Sequence, residues 1–265
     1  MERRHEVETH ARPLSSRLRQ LFLAAVLGVL AACSESSAPS KPAVVPTPVD
    51  PTTAGSIHVD VRYPGPVPTP KTIEMSSASQ CAAAHAEPVT EESLIVNDGR
   101  LANAVVWIKS GLEHWVFAPP TTPLVFDQRG CVYHPHVAAA VIGQPVQFIN
   151  SDPDPHNVHG QPQVLGAWNF IISRQGSSRT LSFDKPEAGI PVGCDIHPWM
   201  RAYLSVVPNP YVAVTASDGS VTLKQVPPGD YVVAVWHEKV GTKEQRVTLA
   251  PSGTATVEFV LEAKS

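Results

Sequence analysis

The stretch Pro191-Val192-Gly193-Cys194-Asp195-Ile196-His197-Pro198-Trp199-Met200-Arg201 leads straight into the alternating run Ala202-Tyr203-Leu204-Ser205-Val206-Val207. It places a thiol, an imidazole and a thioether on one loop at the head of a strand. A second imidazole would complete a set of one Cys, two His and a weak axial Met. That set selects copper in the blue electron-transfer geometry, because sulfur suits Cu(I), imidazole suits Cu(II), and a long thioether contact suits both. The missing imidazole should come from a strand end that reaches this loop. Val146-Gln147-Phe148-Ile149-Asn150 reads as such a strand, and it is followed by Ser151-Asp152-Pro153-Asp154-Pro155-His156-Asn157-Val158-His159.

Outward from these two segments the pattern is the same. Short β-branched runs are broken by Gly, Pro, Asn and Asp, as in Ile57–Val61, Ala104–Ile108, Thr180–Phe183, Tyr231–Trp236 and Val257–Leu261. Close spacing of such runs predicts an all-β sandwich or barrel. Only 78–86 and 91–93 read as locally helical, and Gly143-Gln144 reads as a hairpin turn. The 27 prolines among 265 residues are about twice the usual share and exclude long helices and coiled coils. A net charge of −4, with no basic cluster past the N-terminus, leaves no electrostatic footprint for nucleic acid.

The N-terminus reads as an address. Arg3, Arg4, Arg12, Arg17 and Arg19 precede the apolar run 21–32, the order of a secretory leader. The run ends Leu30-Ala31-Ala32-Cys33, which resembles the bacterial lipobox. That resemblance implies lipidation of Cys33 and a chain anchored in the bacterial cell envelope, facing the periplasm. Residues 34–54 are rich in Ser, Pro and Thr and read as a semi-rigid spacer.

On Pro155-His156-Asn157-Val158 and on Cys194-x-x-His197-Pro198-x-Met200-Arg201, the sequence resembles the cupredoxin (blue copper) family, and within it the amicyanin and plastocyanin-type domains. The resemblance covers about 124–207. It implies a cupredoxin-like Greek-key β-sandwich holding one type 1 copper ion on His156, Cys194, His197 and Met200. It also implies a supporting role for Asn157 and Pro198 and an electron port at Pro198 and Trp199, where the edge of His197 would be exposed. The partners it implies are a c-type cytochrome or a dehydrogenase. His159 is expected as an exposed strand residue. His134 and His136 are expected as a loop feature, with a second surface metal site as the alternative.

With Cys33 and Cys194 so assigned, Cys81 and Cys131 are left as a pair and are expected to form a disulfide. The alternative places Cys81 with His85 in another metal site. A second composition shift follows Pro208-Asn209-Pro210. The turns Asp218-Gly219 and Pro227-Pro228-Gly229-Asp230-Tyr231 resemble the carboxypeptidase-regulatory-like, transthyretin-type sandwich, with Val221 at a position often aromatic in that family. His237 is expected as an exposed or capping strand-end residue. The expected organisation is a leader with lipidated Cys33 (1–33), a linker (34–54), a copper domain (55–207, its N-terminal strands open to being shared) and a second sandwich (208–265). No GxSxG, P-loop, Rossmann or zincin motif is present, so neither an enzyme nor a small-molecule substrate is expected. Two functions of different class follow: a lipid-tethered one-electron carrier, or a copper-holding or scaffold lipoprotein whose second sandwich binds a partner.

Overall fold

Short β-branched runs separated by turn residues cannot sustain helices, and the computed structural model, which describes residues 45–262, is all-β. The expected leader, Cys33 and the first part of the linker lie outside the described residues. The strands are β1 (Gly55–Arg62), β2 (Val96–Asn97), β3 (Arg100–Leu101), β4 (Val105–Ser110), β5 (Leu124–Arg129), β6 (Val132–His134), β7 (Val137–Val141), β8 (Val146–Asn150) and β9 (His156–Gly160). They continue with β10 (Trp168–Ile172), β11 (Ser178–Leu181), β12 (Glu187–Gly193), β13 (Arg201–Val207), β14 (Val212–Val214), β15 (Ser220–Val226), β16 (Gly229–His237), β17 (Gly241–Leu249) and β18 (Thr254–Val260). A single described helix, α1 (Ser79–Ala83), is shorter than the sequence suggests, and 91–93 is not helical.

The strands form four sheets. One has the order β10-β9-β12-β13-β7, and the second has β11-β8-β5-β6. Period-2 alternation turns Phe126, Phe148, Val158, Ile190 and Leu204 of these two sheets into one shared core. Phe126 and Phe148 stack at 5.4 Å, and both are fully buried, each contributing about 1.5–3 kcal/mol by burial. The other two sheets, β15-β1-β3-β2 with β18 on β1, and β14-β4-β16-β17, enclose a core of Ile57, Val59, Val106, Val233, Val235 and Phe259. Thus β1 and β4 pair with strands that follow Tyr211 in the chain.

The two sandwiches touch through the outer faces of β4 and β16 on one side and β7 and β13 on the other, where Val105, Trp107, Trp236, Val137 and Val207 pack together. Gly189 in β12 is required there. Its φ is +70°, and a Cβ at that position would fall 2.2 Å from the Trp236 ring.

Gly143-Gln144 is a turn but not a hairpin. It joins β7 to β8, which belong to different sheets, so the chain arches across the sandwich instead of doubling back. The described end of the spacer is tied to the body: the Thr47 amide donates to the Val116 carbonyl at 2.8 Å, and the Val116 amide to Thr47 Oγ1 at 3.0 Å.

Candidate metal centre

Three sequence positions meet at one end of the sheet that carries β9, β12 and β13. His156 opens β9, Cys194 follows β12, and the loop Cys194–Met200 connects β12 to β13. The register Gly193↔His159 and Gly193↔Arg201 sets the loop beside the head of β9. The loop is tight because the Met200 amide donates to the His197 carbonyl at 2.9 Å.

Ligand atoms of His156, Cys194 and His197 all lie within 4.8 Å of one another. The two imidazoles approach through Nδ1 at 3.0 Å, and His156 is fully buried. Cys194 is the free cysteine among the described residues. Met200 is buried in the core cluster that also contains Cys194. A cleft of about 390 Å³ is bordered by Cys194, Pro198 and Met200, and Pro198 itself is exposed.

The residues around the donors are as specific as the donors. Asn157 accepts from the Asp195 amide through Oδ1, and its Nδ2 donates to Asp195 Oδ2 (2.8 Å) and Asn169 Oδ1 (2.9 Å), bridging β9 to the ligand loop. His156 Nε2 donates to Asp152 Oδ2 at 2.9 Å. Metal-binding histidines characteristically give their other ring N–H to a carboxylate, which fixes tautomer and orientation. Asp152 is itself held by the amides of Gly130 (2.6 Å) and Cys131 (2.8 Å). The Tyr133 hydroxyl sits between the carbonyls of Asn157 (3.2 Å) and Gly193 (3.0 Å), one beside each ligand segment. Sequence reading missed both Asp152 and Tyr133. The one available signal for Asp152 was a carboxylate four residues before His156.

Charge is arranged to suit a cation. Burial alone would push the Cys194 thiol up, but hydrogen bonds from His156 and from the amides of Asn157, His197 and Ile196 outweigh it and hold the thiol below its usual range. Burial works against protonated His156 too, yet Asp152 and Cys194 raise it to about 9. Burial, reinforced by His156, lowers His197. Asp152 stays below the ordinary carboxylate range despite burial, because His156 and the two amides favour its anion. The set is a poised thiolate, two convergent imidazoles and an oriented carboxylate, a donor chemistry that fits copper.

Cys81 and Cys131 form a disulfide across 50 residues. The alternative with His85 does not form: His85 Nε2 lies against the Gly130 carbonyl. The bond carries α1 against the ligand loop, so the His197 edge is covered where exposure was expected, while Pro198, part of the expected port, is exposed. His197 is only 7% exposed, and its Nε2 lies 3.6 Å from Cys81 Sγ instead of facing solvent. Trp199 is half-buried, packs 5.1 Å from the His197 ring and donates through Nε1 to the Cys131 carbonyl at 3.0 Å. The insert around α1 thus packs directly against the ligand loop, through Cys81 on His197.

The other histidines that the sequence singles out are not among the converging donors. His159 is half-buried and donates through Nδ1 to Asp195 Oδ1 at 2.9 Å. His134 Nε2 meets the Arg129 carbonyl, and His136 pairs with Glu238 and with the Arg201 carbonyl. His237 is fully buried, not exposed. The Lys239 amide donates to its Nδ1 at 3.2 Å, while Nε2 has no partner.

Comparison with solved structures finds copper proteins at partial overlap. A copper-containing nitrite reductase from Thermus scotoductus matches at 21% identity and TM-score 0.30, over 38% of this chain and 25% of its own. A Cu(I) amicyanin variant matches at 25% identity and TM-score 0.29, over 32% of this chain and 81% of its own. A reduced amicyanin variant matches at 24% and TM-score 0.29, over 39% and 98%. The chain thus spans a quarter of the nitrite reductase it matches. No family model and no curated protein matches the sequence.

Proposed function

We propose that this chain is a type 1 (blue) copper protein that carries one electron at a time, tethered by lipid on Cys33 and facing the periplasm. The supporting observation is the buried convergence of Cys194, His156 and His197, with Asp152 orienting His156. On this reading those three residues hold the ion, and Met200 is the fourth, weaker donor. Bound copper supplies one-electron redox chemistry. The fixed loop and the Asn157 bridge hold the donors in one arrangement, so little rearranges when charge changes. The chain is a carrier and not an enzyme, and its partners are redox proteins such as a c-type cytochrome or a dehydrogenase. The route outward runs from His197 to Trp199, which borders a cleft of about 860 Å³.

One observation favours the second reading, a copper-holding lipoprotein: the His197 edge is closed by Cys81. Voltammetry of the copper-loaded protein together with stopped-flow exchange against a c-type cytochrome separates the two. A reversible one-electron couple with fast exchange supports a carrier. A couple that exchanges only slowly supports holding.

A further inference from the structure

The copper reading leaves the Cys81–Cys131 pair without a chemical role. Both sulfurs and a ring nitrogen of His197 lie within 4.8 Å of one another, and all three residues are buried. The nitrogen nearest Cys81 is Nε2, at 3.6 Å, whereas Nδ1 faces His156. As a disulfide the pair offers no thiolate. As two thiols it would present two soft donors and an imidazole, a set that suits a thiophilic ion such as Cu(I). The nearby carboxylate of Asp152 is already committed to His156 and to two amides.

We propose that Cys81, Cys131 and His197 form a second site, opened by reduction and filled by a cuprous ion, with His197 shared between the two sites through its two ring nitrogens. A dithiol reductant supplies two electrons and two protons. The S–S bond breaks, Cys81 and Cys131 become thiols, and the reductant becomes a disulfide. Cu(I) then displaces both thiol protons and, where the first site already uses Nδ1, the Nε2 proton of His197 as well; all go to solvent, and the ion is held by two thiolates with His197 Nε2 as third donor. Cys131 stays in place after reduction, because its amide is held by Asp152 and its carbonyl by Trp199. The chain would thus hold one copper when oxidised and two when reduced. This site does not require Cys194, so it stands or falls separately from the carrier function.

The test is anaerobic Cu(I) titration of the full-length chain against a chromophoric Cu(I) chelator, with Cys33→Ser so that only the three described cysteines count. The disulfide-intact chain should bind one Cu(I), and the chain reduced with dithiothreitol and desalted should bind two. With Cys194→Ser added, the reduced chain should bind one, and alkylation mapped by mass spectrometry should find Cys81 and Cys131 protected by it. His197→Ala in that background should weaken the remaining site about tenfold or more. Equal copper counts before and after reduction would overturn the proposal, as would unprotected cysteines or an unchanged affinity in His197→Ala. Loss of the β circular-dichroism spectrum on reduction would overturn it too, because the thiols would then act as an unfolded chelator.

Discussion

Replacing Asp152 with Asn should cost both copper affinity and stability, and the structure sets the size of each. The carboxylate is 6% exposed and uses both oxygens: Oδ1 takes the Gly130 amide, while Oδ2 takes the Cys131 amide and His156 Nε2. An asparagine keeps one acceptor. If that oxygen serves Cys131 and His156, the new NH₂ faces the Gly130 amide, donor against donor. One buried amide is orphaned at about 1–3 kcal/mol, and the two surviving bonds lose their charge assistance. The metal-free protein should therefore lose about 2–4 kcal/mol, read as a lower urea midpoint with unchanged m. Copper affinity should fall about 10–100-fold, because His156 loses the partner that fixes its ring. Competitive Cu(II) titration of Asp152→Asn measures this. Unchanged affinity in a variant that is clearly destabilised would refute the claim that Asp152 orients a ligand and would leave it a loop clamp only.

Met200→Leu should keep the copper and its colour while raising the reduction potential, because a weaker axial donor favours Cu(I), whereas His156→Ala should lose copper; voltammetry and metal analysis distinguish the two. Burial lowers His237 to about 4, below its unfolded value, so the unfolded chain takes the proton first. Stability is then complete above about pH 6.5 and falls by about 3 kcal/mol as pH drops towards 4, and His237→Gln should flatten that slope in urea titrations of the metal-free protein. Gly189→Ala should cost about 3 kcal/mol or more, from the left-handed φ and the Trp236 clash, seen as a lower melting temperature.

What the sequence shows and what it hides follow from range. The strands are local, and period-2 alternation in Val146–Asn150 or Tyr231–Trp236 is enough to find them. The ligand loop is also local, since Cys194, His197 and Met200 share one turn, and a strand end is a natural source for His156. Asp152 was harder to see because Asp154 stands beside it in the same loop, and only the Gly130 and Cys131 amides decide between them. The closure of His197 depends on a contact spanning 116 residues, made by a five-residue helix of low intrinsic stability. His136 meets Glu238 across 102 residues, at the junction between the sandwiches. Burial of His237 is likewise set by packing against distant strands, which no local pattern reports.

The central claim is a copper–thiolate bond at Cys194, and the visible absorption spectrum of the Cu(II)-loaded protein beside that of Cys194→Ser tests it most directly. An intense thiolate-to-copper band towards the red is expected in the native chain, and it should disappear in the serine variant. Weak bands alone in the native chain, or the same intense band after Cys194 is replaced, would contradict it.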